Sequence, residues 1–492
     1  MGKKNRESGI LMPISSIPSN YGIGAFSKEA YDFVDMLEKS GQKNWQVLPL
    51  GPTSYGDSPY QSFSTFAGNP YFIDLDTLVS EGLLEKKDIE DVDFGDDDRN
   101  VNYSKLYNSR FKVLRIAFEN WKKSNENKEI DLSVYLKEYC LYMAIKNKFD
   151  NKEWLLWDDD IKYRSDEAIK YYKDLLADDI LFYEFLQMNF FKQWKKLKNY
   201  ANIKGVNIIG DIPIYVALDS ADCWLNTHLF DLNDDLTPIT VAGCPPDKFT
   251  SLGQMWGNPI YNWEKHKETG YSWWIKRIEQ CFEIYDVLRI DHFRGFDEYY
   301  AIPYADDNAV NGKWEKGPGM DFFNTVKKEL GDVNIIAEDL GYITDTVEKL
   351  LHDTKYPGMK VIEFAFDSRE ESDYLPYNYI ENSVVYTGTH DNDTIVGWYK
   401  NLNKDDKEKS LQYLDNYDSK DEEIHWDFIR LALSSVSKLA VIPMQDYIGL
   451  DSDCRINTPS TIGCNWTWRM KKNEFSNELS EKIKCVNNIY GR

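Results

Sequence analysis

No stretch of this 492-residue chain approaches the roughly 18–20 consecutive apolar residues that a membrane-spanning helix requires. The opening "MGKKNRESG" has no apolar signal core, and Arg6 stands where an N-myristoylation signal wants Ser or Thr. Cysteine is sparse: Cys140, Cys223, Cys244, Cys281, Cys454, Cys464 and Cys485 are scattered, odd in number and free of any CxxC or Cys/His cluster. That pattern excludes a zinc ribbon and argues against the disulfide framework of a secreted domain. Positive charge is also in deficit, with 58 Lys and Arg against 82 Asp and Glu and a formal net charge of −24. Such a field repels phosphate backbones and anionic lipid, so neither nucleic acid nor a membrane is expected as partner. Most of these acids lie in runs such as "EGLLEKKDIEDVDFGDDDR" (81–99), which suit solvated surface. A soluble cytoplasmic protein is the expectation.

Cofactor signatures are missing too. There is no P-loop, and "GIGAFS" (22–27) lacks the third glycine of a dinucleotide fingerprint. The acidic "DLNDDLTPITVA" (231–242) opens like an EF-hand, yet Thr237 and Ala242 occupy later ligand positions and the central glycine is absent. Neither metal nor cofactor is expected.

Apolar and aromatic residues are plentiful, at 42% and 15%, including 33 Tyr, 24 Phe and 15 Trp. They suffice for a large core. The surplus rings serve packing first, although sugar-binding platforms also need them. Short apolar runs recur at 9–14, 44–50, 205–216, 285–293, 333–341, 358–366, 382–391 and 437–446, several followed at once by polar or glycine-rich turns. Near-continuous Val/Ile/Leu runs of this kind suit strands buried on both faces of a parallel sheet. Eight of them, mostly separated by helix-like segments, predict a (β/α)8 barrel in a single domain, with a doubly wound open sheet as the alternative. A mainly helical insertion is expected at 52–205, between the second and third strands. A second, at 217–280, separates the third from the fourth.

Three carboxylates occupy equivalent places after apolar runs: Asp291 ends "DVLRID", Glu338 ends "VNIIAE" and Asp391 ends "VVYTGTHD". In a parallel barrel the carboxyl ends of strands face the active-site mouth. Three acids meeting there repel one another, which points to function. Arg289 shares a strand face with Asp291 and can hold it ionised, while His390 and His292 stand beside two of the acids. Retaining glycoside cleavage needs an ionised nucleophile and a second carboxylate serving as acid and then base. The third can steady the distorted sugar. The competing reading is that each acid merely caps the helix that follows it.

The longer motifs are similar to those of the amylomaltase, or 4-α-glucanotransferase, family (family 77 of the glycoside hydrolases, in the α-amylase clan). They run from "SNYGIGAFSKEAYDFVD" and "NWQVLPLGPTSYGDSPYQSFSTFAGNPYFIDL" through "GDIPIYVALDSADCW", "VAGCPPDKFTSLGQMWGNPIY" and "LRIDHFRGF" to "AEDLG", "YTGTHDNDT", "PMQDYIGL" and "RINTPSTIGCNWTWR". The resemblance implies Asp291 as nucleophile, Glu338 as general acid/base and Asp391 as transition-state stabiliser, with Arg289 and His390 as their neighbours. It implies Asp211 as a structural support, Ser58, Tyr60, Gln254 and Trp256 as sugar-subsite residues, and Asp339, Asp367 and Asn457 as weaker subsite candidates. The implied substrates are an α-1,4-glucan donor and a glucan or glucose acceptor. Cys244 and Cys464 stand where related sequences commonly carry other small residues, and no separate C-terminal β-domain is expected. The stretch "FTSLGQMWGNP" (249–259) reads as a lid hinged at Gly253 and Gly257. An α-glucan hydrolase, a non-catalytic glucan-binding barrel and a pyridoxal-phosphate phosphorylase remain the alternatives, the last with no residue that asks for it.

Overall fold

The run Leu439–Pro443 is apolar and buried at every position, as a strand covered on both faces must be. The computed structural model, which describes residues 6–54, 56–124, 129–246, 250–341, 343–369, 371–417 and 423–492, places it among twelve strands. Eight of these lie in one sheet: β1 (Glu7–Leu11), β2 (Asn44–Gln46), β3 (Asn207–Pro213), β6 (Val287–Asp291), β9 (Ile335–Ala337), β10 (Gly358–Val361), β11 (Ser383–Tyr386) and β12 (Leu439–Pro443). Their order is β10-β11-β12-β1-β2-β3-β6-β9, and every ladder between neighbours is parallel. The two ends of that order meet where Ala337 N donates to Pro357 O at 3.0 Å. The sheet is therefore a nearly closed barrel, and the open doubly wound alternative is excluded.

Seven of the eight apolar runs contain one barrel strand and the first overlaps β1, which starts two residues earlier, but most strands stop well short of the run's end. The residues left over, such as 47–50 and 387–391, continue as irregular chain beyond the strand ends. The seam between β9 and β10 is thin and is reinforced by a side chain, because the Asp339 carboxylate accepts from Met359 N at 2.6 Å. A Cβ on Gly358 would lie 2.4 Å from Asp339 Oδ2. Gly358→Ala is accordingly expected to cost about 1–3 kcal/mol through overpacking of the seam, seen as a lowered urea midpoint with an unchanged slope.

Helices Lys28–Lys39, Ala177–Ile203, Ser272–Ile284, Gly319–Leu330, Asp345–Thr354, Ile424–Ser434 and Asn477–Tyr490 surround the sheet. The β10–β11 connection departs from the repeat, since its described residues form only short 3-10 turns at Ile362–Phe364 and Pro376–Asn378. Phe366 instead packs on Phe428, 5.8 Å away, from the helix before β12. Between β2 and β3 the helices Tyr103–Ser124, Val134–Lys148 and Asp166–Leu175 lead into Ala177–Ile203. Ser133 and Ser165 cap the second and third by accepting from Leu136 N and Ala168 N. The last of the four runs 27 residues and reaches the barrel wall, where Trp194 Nε1 donates to Ile284 O at 3.0 Å.

A second sheet was not anticipated from the sequence. Strands β4 (Thr240–Cys244), β5 (Gln254–Pro259), β7 (Glu298–Pro303) and β8 (Lys313–Lys316) pair antiparallel in the order β5-β4-β7-β8. Two come from the segment after β3 and two from the segment after β6. The reading of 249–259 as a hinged lid is corrected here: Gln254–Pro259 is a strand paired with β4, with Gln254 opposite Cys244 and Met255 opposite Gly243. Asp247–Phe249 lie outside the described residues. Gly253 and Gly257 take positive φ, 67° and 77°, in a turn and within β5. The acidic run at 231–242 forms a tight turn in which Asp235 Oδ1 accepts from Thr237 N at 3.0 Å. No helix among the described residues is long and apolar enough to cross a membrane.

Candidate active site

In β6, Leu288 and Ile290 are fully buried on one face, and Arg289 and Asp291 share the other. Strand register sets Arg289 beside Asp211 of β3. Arg289 Nη1 donates to both Asp211 oxygens, at 2.8 and 2.7 Å, and its Nη2 lies 2.8 Å from Asp291 Oδ1. One buried guanidinium thus serves two carboxylates on two strands. Asp211 is fully buried and Asp291 is 30% exposed toward the mouth, so only the second is open to a ligand.

The network continues across the barrel. Tyr60 Oη donates to Asp211 Oδ2 at 2.8 Å and lies 3.3 Å from His390 Nδ1, with the two rings stacked at 4.8 Å. Tyr60 is held by the turn after β2, where Ser58 Oγ accepts from Tyr60 N at 3.2 Å. His390 Nε2 is 3.4 Å from Asp391 Oδ2, and Asn457 Nδ2 donates to Asp391 Oδ1 at 2.6 Å. Asp291, Arg289, Asp211, Tyr60, His390, Asp391 and Asn457 therefore form one continuous polar chain.

Glu338 follows β9 and faces the same mouth. Its Oε2 accepts from His292 N at 2.7 Å and its Oε1 from Leu340 N at 2.8 Å. His292 reaches it because its backbone is left-handed, with φ 55° and ψ 47°, which turns the chain sharply after Asp291. Burial pushes the Glu338 carboxyl up to about 8. The Asp291 charge adds to this, while Arg289 and the two backbone donors oppose it. Burial likewise holds the His292 imidazole down at about 4, hence neutral at ordinary pH. That ring packs edge-on against Trp256 at 4.9 Å, and Trp256 Nε1 donates to Gln254 Oε1 at 3.1 Å. Within one mouth, then, Asp291 sits in an ion pair with Arg289, and burial holds the proton on Glu338.

The helix-cap alternative fails for all three. Thr394, not Asp391, caps Ile395–Asn401, and Thr344 caps Asp345–Thr354 well beyond Glu338. The 3-10 turn after Asp291 has no side-chain cap bond.

Residues 12–474 match the model of glycoside hydrolase family 77, described as 4-alpha-glucanotransferase. The chain belongs to that family. It is 50% identical over 487 residues to the 4-alpha-glucanotransferase of Clostridium butyricum, an alignment covering 98% of this chain and 100% of that one. The solved amylomaltase of Streptococcus agalactiae in complex with acarbose is 42% identical, with a TM-score of 0.94 over 99% of both chains. The amylomaltase of Corynebacterium glutamicum shares the fold at 17% identity, with a TM-score of 0.78 over 98% of this chain and 75% of that one.

Two weaker candidates from the family-77 resemblance, Asp339 and Asp367, have partners of their own. Asp339 accepts from Met359 N at the barrel seam, and Asp367 accepts from Arg369 Nε at 2.8 Å. Sequence reasoning missed Trp466, whose ring lies 5.7 Å from Tyr60 and 5.9 Å from His390, and Arg455, which donates to Asp391 O at 2.9 Å. Both lie in "RINTPSTIGCNWTWR", so the signal was the motif itself. Trp466 takes φ 64°, which a tryptophan rarely adopts. Arg294 stacks over Trp314 at 4.0 Å and braces the corner after β6 against the second sheet.

Proposed function

We propose that this chain is a 4-alpha-glucanotransferase acting by retaining double displacement, within one catalytic domain that carries 52–205 and 217–280 as insertions. Asp291 attacks the anomeric carbon of an α-1,4-glucan while Glu338 protonates the departing oxygen. The glucan segment stays bound covalently to Asp291. Glu338, now ionised, takes the proton from the 4-OH of an acceptor glucan or glucose as that oxygen displaces Asp291. Asp391, steered by His390 and Asn457, holds the distorted sugar as charge develops at the anomeric carbon. The observation that carries this reading is the divergence of the two acids: Asp291 is paired with Arg289, and Glu338 is kept protonated near neutrality by burial. Tyr60 and Gln254 border the same mouth. No step requires a cofactor. Beside it, a groove of about 1360 Å³ lined by Tyr71, Tyr103, Tyr107 and Asn102 offers room and mixed aromatic and polar walls for an extended glucan.

Maltotriose tests the reaction class. A transferase yields glucose and longer chains while reducing ends stay constant, whereas rising reducing ends identify a hydrolase. Transfer requires that water be kept from the covalent intermediate. Trp256, fixed on β5 against His292, forms a wall on that side. Trp256→Ala is expected to raise the hydrolysis share of product several-fold. An unchanged transfer-to-hydrolysis ratio rejects this role.

A further inference from the structure

The loop Thr387–Ile395 carries both His390 and Asp391, and one side chain outside the proposed chemistry holds its two ends. Asp446 follows β12 and is 1% exposed. Its Oδ2 accepts from Thr387 Oγ1 at 2.5 Å, and its Oδ1 accepts from Ile395 N at 2.9 Å. Thr387 is the first residue after β11 and is fully buried, and Ile395 is the first residue of the next helix. Between these ends the loop is tied to itself, since Asn392 Oδ1 accepts from Thr389 N at 2.9 Å and from Thr389 Oγ1 at 2.8 Å. It also rests on a solid floor. Glu363 N donates to Thr387 O at 3.2 Å, and a Cβ on Gly388 would lie 2.6 Å from Glu363 Oε1. On the far side Ser452 Oγ donates to Asp393 Oδ2 at 2.8 Å. The anchors of this loop thus come from the segments after β10 and β12, behind the mouth.

We propose that Asp446 is a positioning residue for the reaction: by gripping both ends of the Thr387–Ile395 loop, it fixes where His390 and Asp391 stand opposite Arg289 and Asp291. The inference rests on the reading of Asp391 as the group that steadies the transition state. A carboxylate suits the task because each of its oxygens can accept from a different segment, with Thr387 and Ile395 eight residues apart in sequence. Asparagine can keep both contacts if the Thr387 hydroxyl turns to accept from its amide. A neutral side chain is compatible with the site, where burial pushes the Asp446 carboxyl up to about 7. Displacement of a catalytic group by about 1 Å can cost on the order of 10²-fold in rate. Loss of one anchor should therefore appear in kcat.

The test compares Thr387→Val, Asp446→Ala, Asp446→Asn and Asp391→Asn on maltotriose, below the thermal transition of each variant. Thr387→Val keeps shape and burial and removes one arm of the grip. It is expected to lower kcat about 10–100-fold with KM within about threefold. Asp446→Ala should lose at least as much, and Asp446→Asn should return to within a fewfold of the parent. Thr387→Val and Asp446→Ala retaining wild-type kcat would overturn the inference. So would equal loss in Asp446→Asn and Asp446→Ala, because a grip made by shape and hydrogen bonds survives in asparagine. If Asp446→Ala does not fold, Thr387→Val decides alone. Asp391→Asn separates the two levels: full activity in that variant removes the underlying reading, and its inactivity beside an unaffected Thr387→Val removes only the positioning role.

Discussion

Asp291→Asn is expected to lower transglycosylation of maltotriose by roughly 10⁴-fold or more, the scale seen when a covalent nucleophile is removed. An amide cannot displace the glycosidic oxygen, and Asp211, the other partner of Arg289, is sealed beneath Arg289 and Tyr60 and cannot take its place. The fold should tolerate the change. Arg289 keeps the fully buried Asp211 as a neutralising partner through two hydrogen bonds, so no buried charge is left uncompensated. Thermal midpoint and circular dichroism are therefore expected to stay near those of the parent while kcat collapses. A variant that retains turnover within about tenfold of the parent would sink the assignment of Asp291.

The barrel was legible because its signal is the crudest one a sequence carries. Runs such as "GVNIIGDIPIYV" and "SKLAVIPMQD" are apolar on both strand faces, and no surface element can be so. Closure was not legible. Among the described residues it rests on the bond from Ala337 N to Pro357 O and on the Asp339 clamp at Met359 N, and neither has a sequence pattern. The antiparallel sheet was missed for the opposite reason. Its strands are short and mixed, "TVAGC", "QMWGNP", "EYYAIP" and "KWEK", and the last is exposed at every position, so none rises above turn-like sequence. In sequence Gly253 and Gly257 read as hinges, whereas in the fold Gly257 occupies a positive-φ position within β5.

Within the site, strand parity was enough to put Arg289 beside Asp291, and the shared position after apolar runs was enough to group Asp291, Glu338 and Asp391. Parity did not say that Arg289 is divided between Asp291 and Asp211, because that follows from the register of β3 against β6. Nor does position in sequence give the partners of Asp339 and Asp367, a backbone N–H across the β9–β10 seam for one and an arginine two residues on for the other. His292 is the reverse case, where the useful group is its backbone N–H, aimed by a left-handed φ that a histidine in the sequence does not announce.

Glu338→Gln should separate the two proton transfers proposed for one carboxyl. With maltotriose, whose leaving oxygen needs protonation, turnover is expected to fall about 10²–10⁴-fold. With α-maltosyl fluoride, whose leaving group needs little help, the first step should recover. The second still lacks its base, so a maltosyl group should accumulate on Asp291 and be visible as added mass on the intact protein. The wild-type rate should fall as pH rises through about 8, where Glu338 loses its proton, and the variant should lack that limb. Stability gives an independent reading with a definite sign. A carboxyl near 4.3 in the unfolded chain and about 8 in the folded one binds its proton more tightly when folded. Wild-type stability is thus eroded as pH rises from about 4.5 to 8, and the loss persists above that range. Glutamine never ionises and escapes the erosion, although its single oxygen can serve only one of His292 N and Leu340 N, which costs about 1–2 kcal/mol at every pH. The difference in unfolding free energy between variant and parent should therefore shift in the variant's favour by up to about 4 kcal/mol from pH 5 to pH 8.5, measured by urea unfolding at each pH. A pH-independent difference, together with an unaltered alkaline limb, would mean that burial does not hold the proton on Glu338 and that another group supplies the acid.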